Sequence, residues 1–180
     1  MRKIIASTYA TLDGFIDNPQ LWSLNYWNEE AGVFARDQLF ASDILLMGRV
    51  TYDGFAAAWP GRADADEFAH RINTMEKYVV SSTLEKAEWQ NTSIIPRQDL
   101  IPEVTRLKEQ PGGDILIYGC GRLTDALREH GLLDEYRIWV HPVVVGEGQR
   151  LFTEGTKATF QLVSTEVLAT GVAILSYRPE

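Results

Sequence analysis

The chain has 180 residues, of which 45% are hydrophobic and 23% charged, and its formal net charge is −8. That length suits one domain with a sizeable core. The negative charge disfavours broad contact with nucleic acid or an anionic membrane, since both need a positive field. Cys120 is the only cysteine, which excludes an intrachain disulfide and is compatible with a reducing compartment. The N-terminus meets polar residues too soon for a signal peptide, and no stretch reaches membrane-spanning length. A soluble cytoplasmic protein is the expectation.

In chain order, residues 4–8 read as a strand, followed by a turn-rich loop from Thr11 to Pro19. Trp22, Tyr26 and Trp27 make the next segment aromatic. Residues 29–41 carry apolar side chains at helical spacing, including Val33, Phe34, Leu39 and Phe40. A strand at 43–47 leads into a helix at 49–58, which Pro60-Gly61 breaks. A helix at 63–74, a strand at 78–82, a short strand at 92–95 and a helix at 100–109 follow. Pro111-Gly112-Gly113 turns the chain into a strand at 115–118 and a helix at 122–130, with Gly131 as its stop. A long β-branched strand spans 135–145, and two strands at 160–168 and 172–177 flank Thr170-Gly171 as a closing hairpin. The early alternation of strand and helix predicts an α/β fold with a mostly parallel sheet, to which the last pair adds antiparallel strands.

Three strand ends carry chemistry. Ile44-Leu45-Leu46-Met47 has no polar alternation, so it reads as buried on both faces. It runs into Gly48-Arg49-Val50-Thr51, where a guanidinium, a hydroxyl and a helix start would all favour a phosphate. The plain alternative is a helix capped by Thr51 beside a surface arginine. The same grammar recurs at Gly119-Cys120-Gly121-Arg122-Leu123. Thr124 replaces the third glycine of the Rossmann fingerprint, so that motif is absent. Two glycines around one residue still let backbone pass close to a ligand, although a tight strand–helix turn needs them too. Ser81 and Ser82 end a third strand and could bind a ligand or form a turn. In an open α/β sheet such strand ends face one ligand-binding edge.

Trp22, Trp27, Phe34 and Phe55 could line a slot for a flat heterocycle, or simply fill core. Glu30 shares a helical face with Trp27 and Phe34 and is the first candidate for orienting a substrate or handling a proton. Asp13 is the second. The histidines are scattered without metal spacing, so no metal is expected.

These motifs resemble the dihydrofolate-reductase-like superfamily, and within it the single-domain proteins related to the C-terminal reductase domain of the bifunctional riboflavin-biosynthesis deaminase–reductase. The resemblance rests on Thr11-Leu12-Asp13-Gly14-Phe15-Ile16, Leu46 to Tyr52, Val79 to Ser82, Gly119 to Leu123, and Leu132 to Tyr136 leading to His141-Pro142-Val143. It covers residues 1–180 as one domain. It implies a mixed, mainly parallel sheet flanked by helices, and NADPH as cofactor. Arg49, Thr51, Ser81 and Ser82 would lie near the adenosine and its 2′-phosphate. Gly48 would turn the chain beside them. Gly119, Cys120, Gly121, Arg122 and Leu123 would follow the pyrophosphate, and Ile16 would approach the nicotinamide. The resemblance also implies a homodimer acting on a small molecule. Phe15 stands where the riboflavin reductases typically carry lysine, and no deaminase domain accompanies it. Both point away from the riboflavin intermediate. The expected activity is hydride transfer from NADPH to a pterin-, folate- or pyrimidine-like heterocycle or another unsaturated substrate. The competing expectation is an NADPH-binding sensor or partner-binding dimer without turnover.

Overall fold

Ile44, Leu45, Leu46 and Met47 are fully buried, as an unalternating apolar run requires when both sheet faces are covered. Each such side chain contributes roughly 1.5–3 kcal/mol through burial. A computed structural model describes residues 1–180 and contains eight strands and five α-helices. The strands are β1 (Ile4–Thr11), β2 (Ser42–Gly48), β3 (Glu76–Val80), β4 (Thr92–Ile95), β5 (Asp114–Tyr118), β6 (Glu135–His141), β7 (Phe160–Val167) and β8 (Ala173–Pro179). The helices are α1 (Glu29–Phe40), α2 (Arg49–Ala58), α3 (Glu67–Thr74), α4 (Leu100–Glu109) and α5 (Arg122–Glu129). The fold is α/β, with a mostly parallel sheet, flanking helices and a C-terminal antiparallel hairpin.

The chain divides into two compact units. The first comprises Met1–Ile4 and Arg36–Tyr118, and the second Ile5–Ala35 and Gly119–Glu180. In the first, the strands run β4-β3-β2-β5, all parallel. Gly48 stands opposite Val80, so Arg49 and Ser81 leave adjacent strands at the same end. In the second, the order is β1-β6-β8-β7. β1 and β6 are parallel with Tyr9 opposite Trp139 and Thr11 opposite His141, while β8 is antiparallel to both β6 and β7.

Where boundaries differ from the sequence reading, four of them have a clear local reason. The first strand continues to Thr11 because its parallel ladder with β6 runs on to His141. The strand expected over 135–145 stops at His141. Pro142 has no N–H to give the ladder, and Val143 N turns back onto His141 O at 2.8 Å. The helix expected from 63 starts at Glu67, because the Asp66 carboxylate accepts the Ala69 N–H at 2.7 Å and so fixes the N-cap. The third strand ends at Val80, where the Ser81 hydroxyl accepts from the N–H groups of Thr83 (3.2 Å) and Leu84 (3.0 Å). No helix is long and apolar enough to cross a membrane.

Candidate cofactor and substrate residues

In the first unit, Gly48 is the extended N-cap residue of α2, and no side chain caps this helix. Thr51 therefore leaves the first-turn N–H groups open. Arg49 Nε donates to both carboxylate oxygens of Asp53 at 2.8 Å, one turn along the helix. Both bonds use Nε, so the two terminal amino groups of the guanidinium have no partner in the chain. Ser81 is buried and committed to its turn, whereas Ser82 beside it is exposed. Phe55 lies on α2 with its ring 5.6 Å from Tyr118 and 6.3 Å from Trp59. An open groove elsewhere in this unit runs along Phe40, Asp64, Glu67, His70 and Arg71, and no predicted site residue lines it.

In the second unit, Gly119 and Gly121 adopt φ values of +87° and +150°, which L side chains rarely reach. The Gly119 N–H donates to Ser7 O at 2.8 Å, which anchors the corner on β1. Thr124 Oγ1 accepts the Gly121 N–H at 3.0 Å and donates to Gly121 O at 2.9 Å, locking the entry to α5. A Cβ built on Gly121 would meet only Gln149 Nε2, at 3.4 Å. Arg122 is exposed, and Leu123 is half-buried behind it. Burial pushes the Cys120 thiol up to about 12 against the opposing bonds from Thr124 and Thr8, so it stays protonated and fills space.

Gln149 joins this corner to the loop after β1. Its side chain donates to Cys120 O at 3.4 Å, and its backbone carbonyl accepts the Ile16 N–H at 2.9 Å. Its own N–H donates to Asp17 Oδ1 at 2.9 Å. Gly148 has no room for a side chain, because a Cβ there would lie 2.2 Å from Asp17 Oδ1. Ile16, Cys120 and Gly121 are thus brought together through one residue that sequence reasoning overlooked. Nothing in the spacing of Gly146 and Gly148 beside it announces a bridging amide.

Both candidate acids are held as anions. Asp13 accepts the Thr11 hydroxyl at 2.6 Å and the backbone N–H groups of Gly146 (2.8 Å) and Val145 (3.2 Å). The Thr11 bond, then those backbone bonds, hold its carboxyl below the usual aspartate range. Glu30 accepts the Ala169 N–H at 2.7 Å and the Asn28 side-chain amide at 3.1 Å, and these bonds, in that order, lower its pKa.

The aromatic candidates occupy different places. Phe34 sets its ring edge-on to Trp139 at 5.1 Å, with the Arg137 guanidinium over its face at 5.8 Å. Trp22 meets His141 edge-on at 5.1 Å and donates its indole N–H to Asp17 O at 3.2 Å. Trp27 is 51% exposed. His141 is buried, its Nδ1 2.9 Å from Trp139 O, and its pKa is lowered by burial against backbone bonds to Trp139 and Ala10. Tyr9 is the second residue the sequence reading missed. Its ring lies 5.3 Å from Trp139 and 5.0 Å from His141. The two-residue alternation of Ser7, Tyr9 and Thr11 along β1 carried the signal, since the three share one face.

This arrangement defines an α/β protein of the dihydrofolate-reductase-like class. The RibD C-terminal domain family matches residues 2–174, and the chain belongs to that family. The chain is 32% identical over 180 residues to the Bacillus subtilis (strain 168) protein YyaP, covering 98% of this chain and 94% of the other. It is 27% identical over 161 residues to YwjB of the same organism, covering 88% and 87%. The crystal structure of a putative riboflavin biosynthesis protein from Shewanella sp. PV-4 superposes with a TM-score of 0.72 at 21% identity, covering 99% of both chains. The Thermotoga maritima diaminohydroxyphosphoribosylaminopyrimidine deaminase/5-amino-6-(5-phosphoribosylamino)uracil reductase gives 0.64 at 14% identity, covering 99% of this chain and 57% of the other. At these identities the structures establish the fold. Membership of this family gives the chain a reductase-type fold.

Proposed function

We propose that the protein is an NADPH-dependent reductase that transfers a hydride to a small heterocyclic or otherwise unsaturated molecule. The observation that carries this reading is the Gly119–Leu123 corner, whose glycines hold conformations closed to other residues while the face of Gly121 stays uncrowded. Such a corner lets a pyrophosphate approach backbone N–H groups at the start of α5. These residues fit the group. Arg122 is exposed beside the corner, and in the first unit the start of α2 has no side-chain cap, with Arg49 on its first turn. In this reading Arg49, with Thr51 and Ser82, recognises the adenosine 2′-phosphate, and Ile16 contacts the nicotinamide. NADPH supplies the hydride, and the protein supplies orientation and a dry environment.

The test is a titration with NADPH followed by nicotinamide fluorescence. Saturable binding in the tens of micromolar or tighter is expected, and its absence sinks the reading. Arg49→Ala should weaken NADPH about tenfold or more and leave NADH nearly unchanged. Equal loss for both would remove the 2′-phosphate role.

A second reading, a cofactor-binding module without turnover, draws on the acids. Asp13 and Glu30 are both tied to backbone N–H groups as anions. NADPH consumption with pterins, folates and quinones separates the two, since binding with no oxidation favours the module. Under either reading two copies associate, and the exposed Leu162, Val163 and Val167 of β7 offer apolar surface for a second copy. Light scattering should return twice the 20.3 kDa chain mass.

A further inference from the structure

On the face of β1 and β6 that carries Phe34, the rings of Tyr9, Trp139, His141, Trp22 and Tyr26 form one chain of contacts. Tyr9 touches Trp139 and His141, and His141 meets Trp22 at 5.1 Å and Tyr26 at 5.9 Å. Most polar tips here are committed. Trp139 Nε1 donates to Ser7 Oγ at 3.1 Å, Trp22 Nε1 to Asp17 O at 3.2 Å, and His141 Nδ1 lies against Trp139 O at 2.9 Å.

The Tyr9 hydroxyl is different. It makes no hydrogen bond within the chain, and the residue is half-buried. Burial pushes its pKa up to about 12, so it is a neutral donor throughout the physiological range. The hydroxyl is not closed off from solvent, so an incoming acceptor takes the place of water on it. The Tyr26 hydroxyl also lacks a partner, but Tyr26 rides on a three-residue 3-10 turn (Leu24–Tyr26). Tyr9 is fixed by the ladder of β1 with β6. A rigidly held donor selects geometry better than a mobile one. The two candidate acids of this unit, Asp13 and Glu30, are engaged with backbone N–H groups, so Tyr9 offers a neutral donor among rings. That combination suits a flat, uncharged heteroaromatic molecule bearing a carbonyl oxygen or ring nitrogen.

We propose that Tyr9 is the hydrogen-bond donor of the substrate subsite, its hydroxyl binding a carbonyl oxygen or ring nitrogen of a flat neutral heteroaromatic molecule held beside Trp22. The proposal rests on the reductase reading only in taking that molecule as the substrate. In a reduction, a donor at that atom would stabilise the charge that builds there as hydride arrives.

The experiment uses lumazine (pteridine-2,4-dione) as the probe, titrated without cofactor and followed by tryptophan and lumazine fluorescence. The wild-type chain should bind saturably below 1 mM, a limit that corresponds to roughly −4 kcal/mol. Tyr9→Phe keeps the ring and removes the donor, and should weaken binding about tenfold. Trp22→Ala should weaken it at least as much, and Lys86→Ala, at an exposed surface position, should not change it. Circular dichroism and melting confirm that each variant folds. Absence of saturable lumazine binding to the wild type, or a Tyr9→Phe affinity within twofold of wild type, overturns the proposal. NADPH affinity is measured on the same preparations. Tyr9-dependent lumazine binding without NADPH binding would retain the subsite and remove the cofactor reading. NADPH binding with lumazine binding indifferent to Tyr9 would do the reverse.

Discussion

Glu30 Oε2 accepts the backbone N–H of Ala169 at 2.7 Å, which ties the start of α1 to the turn between β7 and β8. The two residues are 139 positions apart. The bond gives a carboxylate with the sequence position of a catalytic acid a structural occupation. It also favours the ionised form of Glu30, whose carboxyl it holds below the usual glutamate value.

Replacing Glu30 by alanine should release that turn. The Ala169 amide should exchange with deuterium faster, with the fold otherwise retained. The folded pKa of Glu30 lies below its ordinary value, so the contribution is present above the ordinary glutamate range and is lost as pH falls through the lowered folded value. Protection of Ala169 in the wild type should fall over that acidic window, and in Glu30→Ala it should not depend on pH there. An unchanged exchange rate in the variant would show that the bond is not made in solution.

Asp13 plays the same part for the loop after β6. Asp13→Ala leaves the N–H groups of Val145 and Gly146 without their acceptor. The loop at 142–148 should become sensitive to limited proteolysis, while β1 and β6 keep their protection. Cleavage patterns identical to wild type would contradict this.

Lys77 is fully buried in the first unit and donates to the carbonyls of Ile72 (3.1 Å), Asn73 (2.8 Å) and Met75 (2.7 Å), with its ammonium 4.6 Å from the centre of the Trp89 ring. It therefore closes the C-terminal end of α3, where carbonyls have no helical partner. Lys77→Met matches the stem but removes every donor, and should cost about 2–4 kcal/mol in chemical denaturation. Burial pulls the Lys77 pKa from 10.5 down to about 8. The unfolded chain binds more protons between those values, so wild-type stability should rise relative to Lys77→Met as pH climbs through that window. A difference that stays flat would mean that the three carbonyls hold the ammonium charged against desolvation.

Cys120 should be slow to modify. With its thiol pushed up to about 12 by burial, the thiolate fraction at neutral pH is at least about 100-fold below that of a free cysteine. Alkylation by iodoacetamide, followed by mass, should be slower by that factor in the folded chain and become ordinary on unfolding. Rapid alkylation of the native protein would place an open thiolate at the glycine corner.

Local pattern determined much of this protein. The apolar run at Ile44–Met47, the glycine spacing at 119–121 and the hairpin around Thr170-Gly171 each act through neighbours in the chain, so the α/β class, most helices and the family were legible in the sequence. The helix at Arg49–Ala58 follows from the residues that form it. Boundaries were less legible where a side chain or a missing N–H intervened, as with Asp66 before α3 and Pro142 after β6.

The occupation of individual side chains was decided by the tertiary structure. Glu30 and Asp13 read as free acids in sequence because the backbone groups they tie down, at Ala169 and Gly146, lie more than 130 positions away. A backbone N–H has no signature in composition or spacing. Gln149 was silent for the same reason, since a bridging amide is defined only by what folding places beside it, and the alternation along β1 gave the face of Tyr9 without showing that its hydroxyl goes unpartnered. The sequence named the chemistry that the strand ends could support. Folding decided which of those groups are already spent on holding the chain together and which remain open to a ligand.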